Sequence, residues 1–124
     1  MKLDRNAAHP GPAIAGFSGG GFRVDDNVYH GLLITPERAD GWRPPALNAL
    51  TDADVAPVLA LDPPPEFLLL GTGATLQHPP RAFIDAMDAR GLGVEVMDSR
   101  AAARAWGVLL AEGRQIVGAL YPLG

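Results

Sequence analysis

The chain has 124 residues, about one domain's length, with 48% apolar and 19% charged residues, both near the values of ordinary globular proteins. Its formal charge is −4, and its ten basic residues, nine of them arginine, are scattered from Lys2 to Arg114, so no phosphate-tracking patch forms and nucleic-acid binding is disfavoured. The absence of cysteine excludes disulfides, thiolate nucleophiles and thiolate metal sites, and apolar runs such as Phe67–Leu70 are far too short to insert in a membrane.

Met1 to Pro12 has no apolar stretch of signal-peptide type and mixes Asp4 with Lys2 and Arg5. Residues 1–12 read as a flexible tail and 13–124 as one α/β domain, with a cytoplasmic protein as the default expectation. His9-Pro10-Gly11-Pro12 breaks regular structure before a first strand at about Ala13–Ser18. Gly19-Gly20-Gly21 turns the chain into Phe22–Val24, and Asp25-Asp26-Asn27 turns it into an alternating strand over Val28–Thr35, which together form an antiparallel meander. Pro36 ends that strand because it offers no amide hydrogen, and a loop through Gly41-Trp42-Arg43-Pro44-Pro45 is anchored by the Trp42 indole.

Thr51 predicts the start of a helix over about Asp52–Leu61, stopped by Pro63-Pro64-Pro65. Phe67–Leu70 is a short continuous apolar run of the kind that forms a buried central strand. A helix from Pro79-Pro80 to about Arg90 buries Phe83, Ile84 and Met87, and Gly93–Met97 is the next strand. Ser99 caps a helix over about Arg100–Glu112, with Ala102, Ala105, Trp106, Leu109 and Leu110 in one stripe, and Gln115–Tyr121 is the last strand. The order implies a compact layered α/β domain, its N-terminal antiparallel strands joined to a β-α-β-α-β unit in a mixed sheet with packed helices.

Gly71-Thr72-Gly73 ends a presumed central strand, where small residues let backbone amides approach a ligand. It is a poor dinucleotide fingerprint, because Leu76 occupies the third glycine position and Gln77-His78-Pro79 delays the helix that would meet a phosphate. No cofactor is therefore assigned. If the strands there are parallel, Asp98 and Ser99 end the next strand on the same side, and Arg104, one turn further on, can reach Asp98 or an anion. Gly71, Thr72, Gly73, Asp98, Ser99 and Arg104 are thus the candidate ligand or partner residues, against a purely structural reading of turn, cap and solvated arginine. His9, His30 and His78 lack metal-ligand spacing and a G-x-S-x-G elbow, so no catalytic or metal residues are assigned. Asp85 and Asp88 read as the solvated side of their helix.

The ordered motifs Gly21-Phe22-Arg23-Val24, Tyr29-His30-Gly31-Leu32-Leu33-Ile34, Trp42, Phe67–Gly73, Val94–Ser99, Ala101–Arg104 and Leu109–Arg114 resemble one family over roughly residues 14–121. It is the domain of unknown function 498 family, which includes mitochondrial complex I assembly factor 3. The resemblance implies a layered α/β fold around a mixed sheet and a bare domain without the mitochondrial member's targeting extension. It supplies no catalytic residues to carry over. Trp106-Gly107 departs from the smaller aromatic and polar residue expected there. The expected function is a non-enzymatic binding or assembly-assisting domain acting on an unidentified protein partner. The alternative is a small-ligand binder or enzyme at the Gly71–Gly73 turn.

Overall fold

A computed structural model describes residues 11–124, so residues 1–10 of the expected tail lie outside the described residues. Strands β1 (Ile14–Ser18), β2 (Gly21–Val24) and β3 (Asn27–Tyr29) form an antiparallel three-stranded sheet in that order. The strand expected over Val28–Thr35 is divided. After β3 the chain leaves this sheet, and β4 (Leu32–Ile34) enters a different one. The break falls at His30-Gly31, where Gly31 is buried with no room for a side chain beside the Trp42 carbonyl, and accepts the Trp42 amide at 2.9 Å. The side-chain phase shifts at this point, since Tyr29 and Leu32, three residues apart, pack on the same core while Val28 and His30 are exposed. A strict two-residue period read through Val28–Thr35 does not register the shift.

Beyond β4, the Thr35 hydroxyl accepts the amides of Glu37 and Arg38 at 3.1 Å each and reverses the chain into β5 (Ala39–Gly41), which pairs antiparallel with β4. This strand lies inside the segment expected to be loop. The helix expected over Asp52–Leu61 is also shorter and looser: a 3₁₀ turn at Asp52–Val55 leads into a single turn of α1 (Ala56–Leu59). Pro57 has no amide to donate into the preceding turn, so a continuous ladder cannot form. Asp54 secures the entry by accepting both the amide and the hydroxyl of Thr51, at 2.8 and 3.0 Å.

The remaining elements follow the expected alternation: β6 (Phe67–Gly71), α2 (Arg81–Ala89), β7 (Gly93–Met97), α3 (Ser99–Ala111) and β8 (Val117–Leu120). The second sheet has the order β5-β4-β8-β6-β7, with β6 parallel to both β7 and β8 and β4 antiparallel to both neighbours. β6 is fully buried from Leu68 to Leu70, although β8 rather than β6 occupies the centre.

Strand pleating sends alternate side chains into two cores. Leu33, Leu68, Leu70, Val117 and Ala119 pack toward Val55, Val58, Phe83 and Met87, on the side of α1 and α2. Leu32, Ile34, Leu69 and Leu120 pack toward Ala102, Trp106 and Leu110 of α3 and toward Phe22 and Val24 of the small sheet. Each fully buried Leu, Ile or Phe contributes about 1.5–3 kcal/mol by leaving water, so the five-stranded sheet, covered on both faces, is the stability centre. Ile84, expected in the core, is only half-buried at its border. Asp85 and Asp88 lie on the exposed side of α2, where Arg81 meets Asp85 at 3.3 Å. Among the described residues no helix is long and apolar enough to cross a membrane.

Candidate functional site

The three parallel strands deliver Gly71, Met97 and Leu120 to one end of the sheet, and the segments that follow them meet there. Thr72 donates its amide to Met97 O at 2.8 Å, Ser99 its amide to Gly73 O at 2.8 Å, and Tyr121 its amide to Gly71 O at 2.9 Å. The glycine turn, Asp98 and Ser99 are therefore brought together, as the expected parallel pairing requires.

What these groups do is bind one another. Ser99 is completely buried; its hydroxyl accepts the Gly73 amide and donates to the Tyr121 carbonyl, both at 2.8 Å. One side chain thus clasps the ends of β6 and β8 to the start of α3. Gly71 makes the closeness possible, because a Cβ there would lie 2.7 Å from Ser99 Oγ and 2.9 Å from Ser99 Cα. Thr72 is buried too, and its hydroxyl accepts the Gln77 amide at 3.0 Å while facing the carbonyls of Thr75 at 2.8 Å and Met97 at 3.2 Å. It shapes the loop that follows β6.

The capping role falls on a different residue from the one expected. Asp98, not Ser99, is the N-cap of α3, accepting the Ala101 amide at 2.9 Å. Ser99 stands at the first helical position and faces the sheet, which extends the buried series Ala102, Ala103, Trp106 and Leu110 back by one turn. That extension of the stripe was the available signal. Arg104 is exposed and its side chain makes no hydrogen bond or ion pair among the described residues, so it does not join Asp98. His78 is exposed on the loop after the glycine turn and His30 at the β3–β4 break. Among the described residues no group of three His, Asp or Glu side chains is gathered as metal ligands.

Tyr121, whose carbonyl takes the Ser99 hydroxyl, was not singled out by the sequence. Its ring meets Trp42 edge-on at 5.1 Å, and Trp42 donates its indole N–H to Asp54 O at 3.0 Å. The Tyr121 hydroxyl is buried with no hydrogen-bond partner among the described residues, and burial, helped by the nearby Asp54 charge, pushes its pKa up to about 12. A folded-state value above the unfolded one of about 10 means that the phenol's contribution is intact below about pH 10 and declines as pH rises toward 12. Tyr121→Phe should therefore match the parent near neutral pH or exceed it by about 1 kcal/mol, since it removes an unsatisfied buried group. It should also lose stability less steeply between about pH 9 and about pH 11, as urea titrations at both would show. An equally steep alkaline decline in the variant would contradict the assignment.

Two covered faces, a mixed sheet and strand ends locked by their own hydrogen bonds define a layered α/β domain in which Thr72, Asp98 and Ser99 are engaged within the fold. Residues 14–121 match the family described as protein of unknown function (DUF498/DUF598), and the chain belongs to that family. An uncharacterised protein of Rhodobacter capsulatus is 36% identical over 111 residues, covering 89% of this chain and 84% of that protein. The NADH dehydrogenase [ubiquinone] 1 alpha subcomplex assembly factor 3 of Danio rerio is 28% identical over 123 residues, covering 98% of this chain and 71% of the relative. A solution structure of a Xanthomonas campestris protein superposes with a TM-score of 0.79 at 32% identity, covering 100% of this chain and 94% of the other.

Proposed function

We propose that the chain is an assembly-assisting domain that works by binding another protein. The observation that carries this reading is the engagement of the strand-end polar groups with one another: Ser99 both accepts from Gly73 and donates to Tyr121, which leaves its hydroxyl no free proton for chemistry. The similarity to a relative named as an assembly factor supports the same reading. Affinity capture from native lysate should recover a reproducible, near-stoichiometric protein that an unrelated acidic control of similar size does not retain. Recovery of nothing above that control would contradict it.

One observation favours a second reading, a small ligand at the Gly71–Gly73 turn with Asp98, Ser99 and Arg104: all but Arg104 meet at one end of the sheet. A ligand there would add its hydrogen bonds at the half-buried Asp98 and the exposed Arg104. A metabolite screen by thermal shift should then raise the melting temperature of the parent but not of Arg104→Ala, and equal shifts in both would dismiss this reading.

A further inference from the structure

The outer strand β7 carries a usable pairing edge. Thr72 donates to Met97 O, and Ser99 donates to Gly73 O, so the odd-numbered residues of this segment turn their main-chain groups toward β6. By strand alternation Gly93, Glu95 and Met97 face inward along the ladder, and Val94 and Val96 present amide and carbonyl outward. No described strand pairs there, because β7 is last in the sheet order. Its pairing with β6 runs through all five residues without a register shift, so no bulge or proline blunts the edge. The opposite edge, β5, has only three residues.

Side chains beside this edge describe what fits. Val94 and Val96, both half-buried, lie on the side of α2, and a groove of about 370 Å³ runs between strand and helix, with Ile84, Leu92 and Val94 as its apolar lining. Arg81, Asp85 and Asp88 form its rim, and Arg81 is engaged by Asp85. On the other face of the strand Glu95 is exposed. A second copy of this chain is a poor occupant, because antiparallel β7–β7 pairing in the register of greatest overlap sets Glu95 directly against Glu95. The same carboxylate favours a strand of opposite charge.

We propose that the edge of β7 receives an extended segment of a protein partner as an added strand, with a lysine or arginine opposite Glu95 and branched apolar side chains directed into the groove beside Ile84. This rests on the protein-contact reading and names its surface. Main-chain pairing to Val94 and Val96 supplies affinity, and the alternating basic and apolar side chains supply specificity.

Two short capped peptides test it, one alternating valine with a central lysine and the other carrying glutamate in the lysine's place, each titrated into the full chain and followed by backbone amide NMR. The lysine peptide should shift Val94, Glu95, Val96 and Ile84 saturably and slow exchange of the Val94 and Val96 amides, with the glutamate peptide about fivefold weaker. Glu95→Lys should reverse that preference. Absence of saturable shifts at millimolar peptide, shifts centred elsewhere, or an unreversed preference would overturn the assignment. The protein captured from lysate separates the two failures. Val96→Pro removes an outward amide without touching the β6 ladder, so a partner retained by Val96→Pro leaves protein binding standing and removes it from this edge. A partner lost by a folded Val96→Pro variant supports the edge.

Discussion

Trp106→Ala should destabilise the domain by about 3–5 kcal/mol, a large share of the roughly 5–15 kcal/mol available to a domain of this size. Trp106 has no exposed surface and lies in the core shared by Phe22, Leu32, Ile34, Leu69 and Leu120, so truncation opens a void bounded by both sheets. Its ring lies beside Gly118 of β8, where a Cβ would stand at an ordinary 3.7 Å from Trp106 Cε3 but only 2.9 Å from Ile34 Cγ2. Its indole N–H also donates to Pro12 O at 2.9 Å, tying the start of the described chain to α3. Trp106→Phe should retain much of the packing but lose that bond, and fall between parent and alanine variant. Arg104→Ala, on the exposed side of the same helix, should stay within about 0.5 kcal/mol of the parent. Urea unfolding of the three variants checks the ranking. A Trp106→Ala variant as stable as Arg104→Ala would mean that the stripe does not face the core.

Ser99→Ala should cost about 2–4 kcal/mol although it removes a single oxygen atom, because it strands two partners at once. The Gly73 amide and the Tyr121 carbonyl both lose their hydrogen bonds to the hydroxyl in a site with no exposed surface at Ser99. Gly71→Ala attacks the same clasp from the other side: its Cβ would collide with Ser99 and lie 3.0 Å from Leu120 Cγ, a case of overpacking that typically costs about 1–3 kcal/mol. Chemical denaturation of both variants, with Asp98→Asn as a cap-preserving control, reads the effect. If Ser99→Ala unfolds like the parent, the clasp contributes nothing net and the hydroxyl becomes available for another role.

Elements marked by strong local chemistry were the legible ones. α3 begins within one residue of expectation because Asp98-Ser99 is a cap signal and its apolar stripe is regular, and β7 coincides with Gly93–Met97 because glycine and the α3 cap bracket it. The roles inside that cap were not legible from capping preference, since Asp and Ser are both good N-caps; only the buried stripe of α3, extended back from Ala102 to Ser99, marks which one turns inward. The division of Val28–Thr35 was hidden for a related reason: the change of facing between Tyr29 and Leu32 falls on His30-Gly31, which carry no apolar mark of it, and the crowding at Gly31 comes from Trp42, eleven residues away in sequence. β5 was missed because Ala39-Asp40-Gly41 has little intrinsic strand preference and pairs only through the tight turn at Thr35. The convergence of Gly71, Gly73, Asp98 and Ser99 followed from parallel strands alone, whereas the open edge of β7 required the strand order, which no local pattern encodes.

That protein contact rather than chemistry is the work of this domain is tested most directly by reconstitution. The purified chain, mixed with the purified protein it captures and with no added cofactor, should elute from size-exclusion chromatography as one species whose light-scattering mass is the sum of the two. Separate elution of the two proteins at micromolar concentration would contradict the account.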